Sequence, residues 1–397
     1  MRRSSVVLGI AAGLGLLCGG VTAWRTLHPP PPETAHAAAL SAIPVTTALG
    51  ATAPANTRFV APLPAQGAAP AAWTPLEASL SAKDCAACHV NEAAAWSGSR
   101  HAQALGAGVL GQTFSPRPTC DPCHAPLAEQ AGESALASEG VTCAACHVRG
   151  WEHQGPPKAD APPMEGAPHG GFTPSTDFTD AQFCAACHDF SEKATAVEGK
   201  RLQETTEEWR RTPAAAAGKT CQDCHMPDGA HGWKGSYDLD TTRAAFTADA
   251  RFITDGGQVV GRLRVTATEA VGHRLPTYTT AELWLTVDQL DRDGLILPGT
   301  HREGVIGRRL SPDNTEEVFD TRLLPGESHD LRYEAELDPD CRTFSAKVEM
   351  RPAAAYERRY ADWLSVGHGD VAQLTTALEA AKAARFVAWQ ERVVLPE

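Results

Sequence analysis

Five times between residues 85 and 225 the chain repeats one pattern: Cys, two residues, Cys, His. The copies are CAACH at 85–89, CDPCH at 120–124, CAACH at 143–147, CAACH at 184–188 and CQDCH at 221–225, and they use ten of the 12 cysteines. Two intervening residues let one turn of chain carry both thiols to the vinyl groups on one edge of a porphyrin. The adjacent histidine then faces the iron. This is the attachment signature of a c-type haem. Cys-x-x-Cys pairs also build zinc ribbons and thiol–disulfide sites. Zinc does not require a histidine after every second cysteine, and a redox disulfide needs one pair rather than five. The expected cofactor is therefore haem c in five covalently attached copies. The attachment residues are Cys85, Cys88, Cys120, Cys123, Cys143, Cys146, Cys184, Cys187, Cys221 and Cys224. His89, His124, His147, His188 and His225 are the expected proximal iron ligands.

A length of 397 residues suits two or three domains. Aromatic residues make up only 6%, which is thin for a large protein core. Five porphyrins would supply the missing apolar bulk. Residues 81–235 are expected to form a loop- and helix-rich pentahaem domain that does not fold without its haems.

Covalent haem attachment takes place outside the cytoplasmic membrane, so the chain is expected to be exported to the periplasm. Arg2 and Arg3 precede an apolar run from Val6 to Trp24. Residues 1–24 read as either a signal peptide or an anchor helix in the inner membrane. Val21 and Ala23 offer a cleavage site, whereas Arg25 directly after the run favours the anchor. Residues 25–80 are rich in Ala and Pro and read as a disordered or extended tether. The formal net charge is −13 before any haem propionates are added. That balance argues against nucleic acid and anionic lipid, and it suits a basic redox partner. Other cytochromes or membrane quinol-oxidising complexes are the expected partners.

A histidine proximal ligand leaves one axial position on each iron. A second histidine there makes a low-spin electron-transfer centre, whereas an open position can bind a small molecule. Ten of the 15 histidines lie outside the motifs. His28 and His36 fall in the tether. His301, His329 and His368 fall in strand-like segments or at a helix junction and read as surface residues. Five candidate distal ligands remain: His101, His153, His169, His231 and His273. His101 follows His89 by twelve residues, about 18 Å along a helix, so the two cannot share one iron. His101 is expected to cap a neighbouring haem. His153 and His231 follow the third and fifth motifs closely, and His169 sits in the flexible loop APHGGF. His273 sits in EAVGHRLPT, which interrupts a strand pattern. Met164 and Met226 are the thioether alternatives, although Met226 is too near His225 to cap the same iron.

After Lys234 the cysteine motifs stop. RLRVTAT, LWLTVDQ, HDLRYEAEL and FSAKVEM alternate apolar and polar residues with period two, separated by turn signals such as DGG and LPGES. A β-sandwich-like domain is expected over 236–352, and residues 353–397 read as two C-terminal helices. The fold class is thus mixed. A loop- and helix-rich multihaem core is followed by an antiparallel sandwich and C-terminal helices. Cys341 is a lone thiol expected to be buried.

Three stretches resemble the multihaem c-type cytochromes of the c-552/c-554 type: CAACH at Cys85 with WSGSRHA downstream, GVTCAACH from Gly140 to His147, and CQDCHMP from Cys221 to Pro227. The resemblance covers about residues 83–235. GHRLPT and the β-rich region after it look like a C-terminal domain attached to some of these proteins. The resemblance implies close-packed haems, mostly with two axial histidines, in periplasmic or extracellular electron transfer. It implies that His101, His153 and His231 are distal ligands. Related members oxidise hydroxylamine or reduce nitrogen oxides, and keep one special haem with an open axial site or a lysine ligand. This chain has no Cys-x-x-Cys-Lys motif, and it has CHVRG where the family usually has CHGPG, which leaves the register of His153 open. The expected function is electron transfer. The alternative is a nitrogen- or sulfur-oxyanion reductase with one open-site haem, and a third reading makes the sandwich a docking module. A missing distal ligand would favour the enzyme.

Overall fold

The structure is a computed structural model that describes residues 63–106, 117–131, 135–157, 167–190 and 196–394. The apolar run at 6–24 and Met164 lie outside the described residues. Among the described residues, no helix is long and apolar enough to cross a membrane.

Between residues 82 and 244 the regular structure comes in one- and two-turn pieces. These include Ala82–Cys85, Val90–Ser97, Arg117–His124, Cys143–His147, Gln182–His188, Thr205–Trp209, Cys221–His225 and Leu239–Ala244. Helices this short do not persist alone, because nucleation costs more than a few hydrogen bonds return. Their packing must hold them, yet among the described residues the buried apolar cluster of this half is Leu63, Leu80, Leu127, Ala144, Ala145 and Val148.

The C-terminal half has a conventional core. Its main strands are β1 (Phe246–Asp255), β2 (Gln258–Ala267), β3 (Glu282–Leu290), β4 (Arg302–Ile306), β5 (Ser328–Glu336), β6 (Thr343–Arg351) and β7 (Phe386–Val394). They form two antiparallel sheets, ordered β5-β2-β1 and β7-β6-β3-β4. Leu263 and Val265 of the first sheet meet Leu283, Leu285, Val287, Phe344 and Val348 of the second in one buried cluster. Each such side chain taken from water contributes roughly 1.5–3 kcal/mol. The alternation seen in β5 is realised: Leu331 and Tyr333 are buried while Arg332 and Glu334 are exposed. Helices Ala354–Ser365 and Val371–Ala383 pack together through Tyr360, Trp363, Leu374 and Ala377. Cys341 is buried.

Two expectations are corrected. The second C-terminal helix stops at Ala383, and Phe386–Val394 is a strand paired with β6. Its residues, FVAWQERVV, are β-branched or aromatic at five of nine positions, and Ala388 turns inward while Val387 stays exposed. The tether, expected as far as residue 80, does not extend over residues 63–80. Leu63 is buried, its N–H donates to the Pro126 carbonyl at 3.0 Å, and Leu80 joins the same cluster.

A buried polar clamp joins the two halves. Arg322 donates to Glu208 at 3.1 Å, to both Asp320 oxygens at 2.8 Å and to the Thr277 carbonyl at 2.9 Å. Arg308, fully buried, donates to Glu317 at 2.8 Å and to the Arg201 carbonyl at 2.6 Å.

Candidate haem-binding site

Four motifs are a single turn, or the last turn of a short helix, and the first runs from the end of Ala82–Cys85 through a turn closed by the His89 N–H on the Cys85 carbonyl at 2.9 Å; in each the cysteines are at i and i+3 and the histidine at i+4. At 3.6 residues per turn these three side chains share one face. The turns are capped locally. Ser81 accepts the Lys83 N–H and also donates to Glu139 at 2.7 Å, and Thr220 and Asp223 close a reciprocal cap around the fifth motif. None of the ten motif cysteines is in a disulfide.

Several histidines are oriented by backbone carbonyls. Nδ1 of His124 donates to Ala104 at 2.7 Å, that of His147 to Gln154 at 2.7 Å, and that of His225 to Lys234 at 2.6 Å. Nδ1 of His169 donates to Gly171 at 2.9 Å and that of His273 to Arg274 at 2.8 Å. A carbonyl only accepts, so the proton sits on Nδ1 and the lone pair stays on Nε2, the nitrogen left to bind metal.

The rings then pair. A metal held between two imidazoles needs two bonds of about 2 Å plus about 1 Å to each ring centre, which sets the centres about 6 Å apart. Four pairs meet that spacing. His89 lies 6.4 Å from His169 and His188 lies 6.2 Å from His101; His147 lies 6.1 Å from His231 and His225 lies 6.2 Å from His273. The ring planes meet at 28°, 71°, 33° and 6°, respectively. In every pair the second histidine comes from a distant part of the chain. Burial lowers the pKa of His101 to about 3 and that of His273 to about 4, and it also lowers those of His147, His188 and His231. These imidazoles are therefore neutral at pH 7, the form that ligates iron. Thiols and histidine on one face of each motif, Nδ1 held by a carbonyl in His147, His169, His225 and His273, and iron-spanning pairs together fit bound haem.

Two predicted residues fall outside this scheme. Among the described residues no second imidazole stands opposite His124, and residues 107–116 contain neither His nor Met. His153 is not at iron-spanning distance from any motif histidine. It stacks on His169 with centres 4.0 Å apart, and its Nδ1 is buried without a hydrogen bond. His301 pairs with Asp288 at 2.6 Å, His368 lies against Trp363, and His329 lies on β5.

The thiols show how the motifs sit together. Cys85 is within hydrogen-bonding reach of Cys143, Cys123 of Cys187, and Cys184 of Cys221. Cys146 lies in electrostatic range of Cys184 and Cys187. The fourth motif is thus next to the second, third and fifth, and the first is joined through the third.

Three supporting residues were not legible in the sequence. Trp233 has its ring centre 4.6 Å from that of His101 and 5.4 Å from that of His231, at φ 41°. An aromatic two residues after His231 was the available signal. Glu77 accepts the His169 N–H at 2.9 Å, and that bond, with those from Thr74, holds its carboxyl down to about 2. Glu208 accepts from the Arg274 N–H at 3.1 Å and the Thr277 hydroxyl at 2.7 Å, which ties down the loop of His273.

No family model matches the chain, and no curated protein matches it. Among solved structures, the crystal structure of a penta-haem cytochrome c552 from Thermochromatium tepidum matches with a TM-score of 0.60 at 19% identity, covering 81% of this chain and 100% of that one. At that identity the likeness establishes the fold. The chain has the mixed, antiparallel-sheet fold of a multihaem c-type cytochrome.

Proposed function

We propose that the chain is an exported pentahaem cytochrome that carries electrons through a branched array of closely packed haems, four of them with two axial histidines. The observation that carries this reading is the set of four histidine pairs at iron-spanning distance, each built from one motif histidine and one remote histidine. Bound haems supply one-electron centres whose potentials follow axial ligation, burial and nearby hydrogen bonds. The chain's own residues fix the array. Motif cysteines would set the attachment edges, remote histidines would lock one motif to another, and the carbonyls on Nδ1 of His147, His169, His225 and His273 would leave Nε2 of those rings for the iron. The thiol neighbourhoods support a path from the first motif through the third to the fourth, with branches to the second and fifth.

His124 supports a second reading in which the haem of the second motif keeps an open distal side and reduces a small nitrogen or sulfur oxyanion. One measurement separates the two. Haem content per chain, taken with ferric electron paramagnetic resonance, should give five haems with at least four low-spin. A high-spin signal that shifts on adding azide or nitrite supports the second reading. Five low-spin haems indifferent to both ligands leave electron transfer alone.

For location we propose the periplasm, with residues 1–24 acting as a signal or an anchor. N-terminal sequencing of the mature protein distinguishes the two. The acidic surface supports a basic redox protein as partner. Binding that weakens as salt is raised is the expected behaviour, and salt-independent binding counts against it.

A further inference from the structure

His153 is a half-buried imidazole whose Nδ1 is shielded from solvent, lying beside an iron position that already has two ligands. His89 and His169 stand 6.4 Å apart, the iron-spanning distance. His153 stacks on His169 at 4.0 Å with the planes at 21°, so it lies on the same side of that iron position as His169. Its Nδ1 is buried and makes no hydrogen bond. A buried polar atom without a partner costs free energy, and one lying against a metal face has an evident use.

The two rings are mounted differently. His153 belongs to the strand Glu152–Gly155 and pairs in register with Val148, one residue beyond the motif histidine His147. Trp73 packs on it, ring centres 5.5 Å apart. His169 sits in a short turn, Pro168–Gly170, with φ of 45°, a left-handed conformation that disfavours any residue with a side chain. The turn is held by the Glu77 carboxylate on the His169 N–H. One imidazole is thus fixed on a strand, and the other sits in a left-handed turn closed by the Gly171 N–H on the Pro168 carbonyl and tied to Glu77.

We propose that His153 and His169 are interchangeable distal ligands of the first haem, His169 resident and His153 in reserve. The proposal rests on the haem reading above. In the exchange, the iron bond to His169 Nε2 breaks and a bond to His153 Nδ1 forms. Both imidazoles stay neutral, no proton or electron is transferred, and His169 keeps its Nδ1 proton on the Gly171 carbonyl. The first haem then has two ligand sets in different surroundings, because His169 sits in a turn with the Gly171 carbonyl on its Nδ1, whereas His153 sits on a strand under Trp73. Its potential is set by which histidine is bound.

The test uses the full, haem-loaded chain and counts high-spin ferric haems relative to wild type, with haem content measured alongside. His169→Ala and His153→Ala should each add no high-spin haem, and the double variant should add one. A new high-spin haem in His169→Ala alone overturns the exchange, because His153 then cannot reach the iron. One in His153→Ala alone also overturns it, making His153 the sole ligand. No gain in the double variant places both rings off the iron. Should His169→Ala fail to mature, Glu77→Ala loosens the same ligand and should shift one low-spin signal without adding a high-spin one; an added high-spin signal overturns the proposal. Fewer than five haems in the wild-type chain would instead sink the haem reading itself.

Discussion

At the scale of single residues, the remote histidines have more to decide than the motif histidines, because each motif fixes its own proximal ligand. His101 is the clearest case. It lies twelve residues past the first motif yet faces His188 of the fourth at 6.2 Å. His101→Ala should leave five haems attached, since no cysteine is touched, and turn one haem high-spin. If all low-spin signals survive, His101 is not a ligand. The 71° between those rings gives a second signature. Near-perpendicular imidazoles give a more anisotropic ferric signal than the near-parallel His225–His273 pair at 6°, and the more anisotropic signal should be the one lost. Trp233 makes a different prediction. It touches His101 and His231, which face two different motif histidines. Trp233→Ala should therefore perturb two low-spin signals together, and Trp233→Phe should largely restore them. A change at one haem only removes the bridging role.

At the scale of elements, placement depends on how close two backbones come. Gly140, at φ +67°, sits against the turn of His101, and the following Val141 N–H donates to the His101 carbonyl at 3.0 Å. A Cβ there would stand 2.5 Å from that oxygen. Gly150 has a similar φ of +56° and open space around it. Both alanine variants carry the backbone penalty of about 1–2 kcal/mol, but only Gly140→Ala also displaces the His101 turn. It should convert part of the haem facing His101 to high-spin, whereas Gly150→Ala should only lower the melting temperature. Equal spectra for the two would mean the close approach is unimportant. The same dependence on approach explains what could be read in advance. Attachment motifs and alternating strands such as β5 are local patterns, and they were legible. The strand Phe386–Val394 was not, because it follows an Ala-rich helix after two residues and its pairing partner is β6, far back in the chain. Residues 63–80 look like linker by composition, and only Leu127 and His169, distant in sequence, reveal that Leu63 and Glu77 are structural. Five spare histidines could be matched to five motif histidines by number. Which faces which depends on tertiary geometry, and the match by number hid both His124, which faces no second imidazole among the described residues, and the doubled His153–His169 pair.

At the scale of the whole molecule, the two halves are stabilised by different means. The sandwich has its own core of more than twenty buried side chains, whereas the other described half has a cluster of six. Chain made without haem attachment should therefore keep sheet structure over 246–394 and lose protease resistance before residue 244; uniform resistance would show that the haems are not the core. Joining the halves is the clamp of Glu208, Arg322 and Asp320, and its acid response has a definite sign. Burial alone would raise the Asp320 carboxyl, but the Arg322 hydrogen bonds and charge outweigh it and hold the group at about 2, below its ordinary 3.8. A depressed carboxylate stabilises the fold above its unfolded value, and that contribution, about 2 kcal/mol, is lost as pH falls from 3.8 through 2. Glu208 has the opposite sign. Burial raises its pKa despite the Thr277 and Arg322 contacts, so protonating it on the way down does not itself weaken folding. The clamp should therefore hold through the titration of Glu208 and loosen only in the lower window. Small-angle scattering of the haem-loaded protein should show no change in dimensions between pH 6 and about 4 and expansion between about 4 and 2. Asp320→Asn removes the titrating group and should flatten that step while lowering stability at neutral pH, because Arg322 loses its closest charge partner. Expansion that begins near pH 5 in the wild type, or survives unchanged in Asp320→Asn, would assign acid opening to other groups than this clamp.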